Sequence, residues 1–137
     1  MWKRFIKGRN ALAEPLRGAP AVRRQKTYSS QTGYVYQYFY QGYREDKRDE
    51  RPGREYVFQI TRARDSYFPL VIFLPAAAVD AWQQSYGRSL TPSEQYAAVK
   101  MALFEVFDQR EDLQPPGAAA EIDSAALQRL LAVLDVP

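Results

Sequence analysis

The side chains able to do chemistry in this chain are phenols, carboxylates, amines and guanidinium groups, because it holds neither histidine nor cysteine. Histidine is the most frequent general base and metal ligand. Cysteine supplies thiolate nucleophiles, zinc–sulfur sites and disulfides. Without either there is no Ser-His-Asp triad, no Cys-His pair, no thiolate-held zinc or iron–sulfur cluster, and no disulfide. An oxygen-ligated magnesium site needs clustered carboxylates, and the sequence has no Asp-x-Asp group. The seven glycines are scattered, so no phosphate-cradling loop is present. These absences point to a protein that is not an enzyme and carries no cofactor.

Two groupings of residues remain. The first is aromatic. Residues 34–43 read Tyr-Val-Tyr-Gln-Tyr-Phe-Tyr-Gln-Gly-Tyr, a β-forming run. Strand alternation places Tyr34, Tyr36, Tyr38 and Tyr40 on one side, with Val35, Gln37, Phe39 and Gln41 on the other. An exposed tyrosine row beside Arg23, Arg24, Lys26 and Arg44 could stack unpaired bases. A buried row would pack under helices or across a dimer.

The second grouping is basic. Residues 1–26 hold eight basic side chains (Lys3, Arg4, Lys7, Arg9, Arg17, Arg23, Arg24 and Lys26) against the single acid Glu14. The remainder holds 11 basic and 15 acidic residues. A basic arm on a mildly acidic body suits nucleic acid, an anionic membrane surface or an acidic protein. Trp2, Phe5, Ile6, Leu12, Ala13 and Leu16 fall on one helical face, as in an interfacial amphipathic helix. The same composition fits a mitochondrial presequence processed near Arg23-Arg24-Gln25. Gly8, Pro15, Gly18 and Pro20 limit any helix there to a few turns.

The elements that must position these groups follow from pattern. Residues 17–33 lack hydrophobic periodicity and read as linker. After the tyrosine strand, the charged run 44–54 ends in Pro-Gly and reads as a long hairpin loop. Glu55 to Arg62 alternates as a second strand. Tyr67 to Leu74 is apolar on both faces and reads as a third, central strand. Pro75 then fits the start of a helix that stops at Gly87. Thr91-Pro-Ser-Glu94 is a capping box, with Thr91 as N-cap, for a helix reaching about Gln109. Lys100 lies at the edge of that helix's apolar face, where its stem can cover apolar surface. Asp123 caps a last helix, with Ile122 and Leu127 spaced as a hydrophobic staple.

At 137 residues the chain has the length of one domain. The expected organisation is a basic tail and linker over residues 1–31 and a single α+β domain over 32–137. That domain is expected to be a three-stranded antiparallel meander followed by two or three helices packed on one face. The longest apolar run, Phe68 to Leu74, is too short to span a bilayer, so the chain reads as soluble and cytoplasmic, or mitochondrial matrix if the N-terminal segment is a presequence. The function these features favour is a non-enzymatic interaction or adaptor module. It would bind a macromolecular partner through its basic tail and sheet surface, using Lys3, Arg4, Lys7, Arg23, Arg24, Lys26, Tyr36, Tyr38 and Tyr40. The expected partner is a protein, including a second copy of the chain, with nucleic acid or an anionic membrane surface open to residues 1–26. The alternative is nucleic-acid or small-ligand binding through the tyrosine-rich strand.

Overall fold

The structure is a computed structural model that describes residues 15–62, 66–111, 113–115 and 117–136. Its centre is the hairpin of β2 (Val35–Arg48) and β3 (Arg51–Thr61). Opposite-sign cross-strand pairs carry that hairpin well past the core. Arg44 faces Glu55 and Glu45 faces Arg54 in register, with ion pairs of 3.1 and 3.0 Å. Asp49 and Glu50 both have positive φ, 55° and 66°, as a tight two-residue hairpin turn requires. The run 44–54 is therefore paired strand around a short turn, not the loop its charge suggested. Charge marks solvent contact, and it is compatible with a ladder when opposite signs sit across from each other.

A bulge at Gly42 keeps the tyrosines in line. The register shifts between Tyr40 and Gly42, and the extra residue returns Tyr43 to the side of Tyr36, Tyr38 and Tyr40. Gly42 has φ 140°, and a Cβ there would sit 2.7 Å from the Arg17 carbonyl oxygen. Only glycine fits.

β4 (Phe68–Pro75) pairs antiparallel with β3, completing the expected meander at the middle of the sheet. Two further strands extend it. β1 (Lys26–Ser29) pairs antiparallel with β2, and β5 (Ala118–Glu121) runs parallel to β4. The sheet is thus five-stranded and mixed, in the order β1-β2-β3-β4-β5, inside an α+β fold. The segment expected to be linker contributes β1, so the tail and the domain are joined by backbone pairing. Ala118 and Ala120 of β5 pack against the core, which gives this alanine strand its place despite weak β-propensity.

α1 (Ala76–Tyr86) follows β4 directly and ends at Gly87 with φ 70°. α2 (Pro92–Gln109) opens with the complete Thr91–Glu94 capping box. α3 (Ser124–Val133) is capped by the Asp123 carboxylate accepting from the Ala126 amide at 2.8 Å. The amphipathic N-terminal helix expected over the first residues falls outside the described residues, apart from Leu16.

One face of the sheet carries the core. Tyr36, Tyr38, Tyr56, Phe58, Ile60, Phe68, Leu70, Ile72 and Leu74 alternate along three strands and meet Trp82, Val99, Leu103, Phe107, Leu127 and Leu131 of the helices. Each large side chain so buried stabilises by roughly 1.5–3 kcal/mol relative to exposure. The other face of the sheet lies outside this cluster.

Candidate functional site

The basic segment is laid along the β2 edge and reaches the second sheet face. Arg17 donates its amide to Tyr43 at 2.7 Å and accepts from Tyr43 at 2.9 Å. After an irregular stretch, Arg23 places its guanidinium 4.5 Å from the centre of the Phe39 ring, a cation–π contact. Gln25 accepts a hydrogen bond from the Tyr67 hydroxyl. Arg24 and Lys26 are exposed. Lys3, Arg4 and Lys7 lie outside the described residues.

The second face itself is half-polar. β2 gives it Val35, Gln37, Phe39 and Gln41; β3 gives Val57, Gln59 and Thr61; β4 gives Pro69 and Val71, with Val57 and Thr61 buried at 5% and 1% exposure. Gln59 donates to Gln41 at 2.9 Å. Val35 is 53% exposed, and Phe39 and Val71 are half-buried. A shallow hollow of about 200 Å³ lies between Val35, Gln37, Thr61 and Arg62. Arg62 stacks at 4.1 Å over the exposed Tyr34 ring at its rim.

Towards the hairpin this face becomes arginine-rich. Glu55 is 4% exposed and lies 3.1 Å from Arg44 and 3.6 Å from Arg48. Arg48 and Arg51 both face the Phe73 ring, at 4.7 and 5.9 Å. Arg51 grips Glu121 with two hydrogen bonds of 2.8 and 3.0 Å, which lowers the carboxyl pKa of Glu121. A Cβ at Gly53 would come within 2.6 Å of the Phe73 ring, so glycine lets this ring lie across the hairpin.

The tyrosines expected to form a stacking platform are on the opposite, helix-covered face. Tyr36 is 0% exposed and Tyr38 5%, while Tyr40 is half-buried. Tyr36 stacks on Phe107 at 4.2 Å, and Tyr40 meets Tyr96 at 4.8 Å. Physical burial overrides the platform reading. The rings of Tyr36 and Tyr38 are used by the protein's own helices and offer no open face to a base. Burial also raises the phenol pKa values of Tyr38, Tyr40 and Tyr56, and that of Tyr96 to about 12. Tyr28 is pushed to about 12 by desolvation and by donating to Asp108 at 2.8 Å.

The structure therefore separates two groups that the sequence placed together. Arg23 goes with the second face, while Arg24 is exposed beside it in sequence. Lys26 and the tyrosines go with the helix-covered face, where Lys100 joins them, its pKa lowered by desolvation and by the charge of Lys26. Lys100 was legible only as a stem on an apolar edge, because its neighbour Lys26 is distant in sequence. Among the described residues no group of three or more carboxylates, histidines or cysteines is placed to hold a metal ion. No described helix is long and apolar enough to cross a membrane. No protein-family model matches the chain, and no curated protein or solved structure matches it either.

Proposed function

We propose that this protein is a non-enzymatic interaction module that binds an anionic macromolecular partner through its basic N-terminal segment and the second face of its sheet. The observation that supports this reading is the Arg23–Phe39 contact at 4.5 Å. It joins the basic segment to the half-polar sheet face as one surface, with Arg24 exposed beside it and Arg62 at its far end. Such a surface combines steering by positive charge with apolar and amide groups for close contact.

The test uses the full chain and a variant carrying Arg23→Glu and Arg24→Glu. Both are titrated with single-stranded RNA, duplex DNA and anionic vesicles at low and physiological salt. The reading expects binding of one of these by the unaltered chain, a steep fall in affinity with salt, and loss in the variant. Equal affinities for the two proteins, or no binding by either, would sink it.

A further inference from the structure

We propose that Lys26 and Lys100, set beside the rings of Tyr96 and Phe104, form a notch for the dianionic phosphate group of a small phosphate ester. The helix spacing builds the first part. Tyr96, Lys100 and Phe104 are four residues apart on α2, so their side chains follow one another along one face. The Lys100 ammonium lies between the two rings, 5.9 Å from Tyr96 and 5.8 Å from Phe104. The strand supplies the second part. Lys26 is two residues before Tyr28 on β1, hence on the same side of the strand. Tyr28 stacks flat on Phe104 at 4.6 Å, which brings this end of β1 against α2.

The half-buried Lys100 ammonium thus has the exposed Lys26 ammonium as its charged neighbour. Among the described residues neither Lys26 nor Lys100 has a carboxylate within 4.0 Å. The acids nearby on α2 are engaged elsewhere. Asp108 accepts from the Tyr28 hydroxyl at 2.8 Å and from the Gln31 amide at 3.0 Å. Glu105 is held by Arg129 at 2.5 and 3.2 Å. Burial and the neighbouring charge both disfavour the charged form of Lys100. An anion between the two amines relieves both penalties at once. A doubly charged group does so better than a single carboxylate. The aromatic rings hold the Lys100 ammonium by cation–π attraction and leave its N–H groups to donate to oxygen.

This notch is on the helix-covered side of the sheet and stands apart from the Arg23–Phe39 surface, so its test is separate. Thermal unfolding of the full chain is followed against inorganic phosphate and phenyl phosphate, with chloride at matched ionic strength as the control. The expected result is a saturable rise in Tm with either phosphate, absent with chloride, lost in Lys100→Gln, reduced in Lys26→Gln and kept in Arg23→Glu. Acylation of Lys100 by an amine-reactive ester, read by mass spectrometry on the unaltered chain, should slow when phosphate is present. The proposal is overturned if chloride reproduces the shift, if Lys100→Gln responds like the unaltered chain, or if phosphate leaves the acylation of Lys100 unchanged.

Discussion

The two faces of the sheet are made by the same strands and solve opposite problems. On the helix-covered face the polar atoms sit at the tips of aromatic rings, and the bodies of those rings fill the core. Tyr36, Tyr38 and Tyr56 are each at most 5% exposed. On the second face the polar atoms are charged or amide groups held in pairs: Gln59 with Gln41, Glu55 with Arg44 and Arg48, and Arg51 with Glu121. Alternation along a single strand is enough to produce this division. The lesson is that tyrosine density does not locate a binding surface. A phenol serves a core as readily as a surface, and the helices of the chain decide which.

The sharpest way to break this comparison is to remove a ring from each side. Phe107 is 0% exposed and touches Tyr28, Tyr36 and Tyr38 at once. Phe107→Ala should therefore cost about 3–5 kcal/mol of stability, measured by urea unfolding. A cost under about 1 kcal/mol would mean that the helix-covered face is not the core.

The second-largest effect is expected from the charged end of the other face. Glu55 is nearly buried while its partners Arg44 and Arg48 have side chains 20% and 15% exposed. Glu55→Gln leaves two arginines short of their counter-charge in a partly desolvated place. The expected loss is about 2–3 kcal/mol, below the range for a fully buried pair because the arginines reach water. An unchanged urea midpoint would show that the hairpin's charge pairs are decorative.

A smaller effect tests how α2 is anchored over the helix-covered face. Thr91→Ala removes the cap that accepts from the Glu94 amide at 3.2 Å, and should cost about 1 kcal/mol. Glu94 itself is held at a pKa of about 2, chiefly by Arg88 and then by the Thr91 amide. Its folded value lies below its ordinary value of 4.5. Its contribution is therefore complete above that ordinary value and lost as pH falls towards about 2. An acid titration of stability should show this loss in the unaltered chain and a weaker one in Arg88→Gln.

The parts of the fold legible in the sequence are those set by local chemistry. Thr91 with Glu94, Gly87 after α1 and Asp123 before α3 act within a few residues of themselves. β1 is different. Lys-Thr-Tyr-Ser has no strong strand pattern, and what fixes it is Tyr28 stacking on Phe104 and donating to Asp108, 80 residues away. β5 is likewise placed by its partner β4 and not by its alanines. In the candidate site, composition announced the basic segment. The contact of Arg23 with Phe39 and the approach of Lys26 to Lys100 are products of tertiary structure, and no spacing in the sequence encodes them.

The smallest stability effect carries the most weight for function. Phe39 is half-buried on the second face, with Arg23 at 4.5 Å and the Tyr67 ring at 5.5 Å. Phe39→Ala removes the ring that seats the basic segment but leaves the helix-covered core untouched. Stability should fall by less than about 1 kcal/mol, while affinity for the anionic partner falls as it does in Arg23→Glu. If stability instead dropped as far as in Phe107→Ala, Phe39 would belong to a second packed layer. The two faces would then both be core, and the surface for a partner would have to lie at the strand edges.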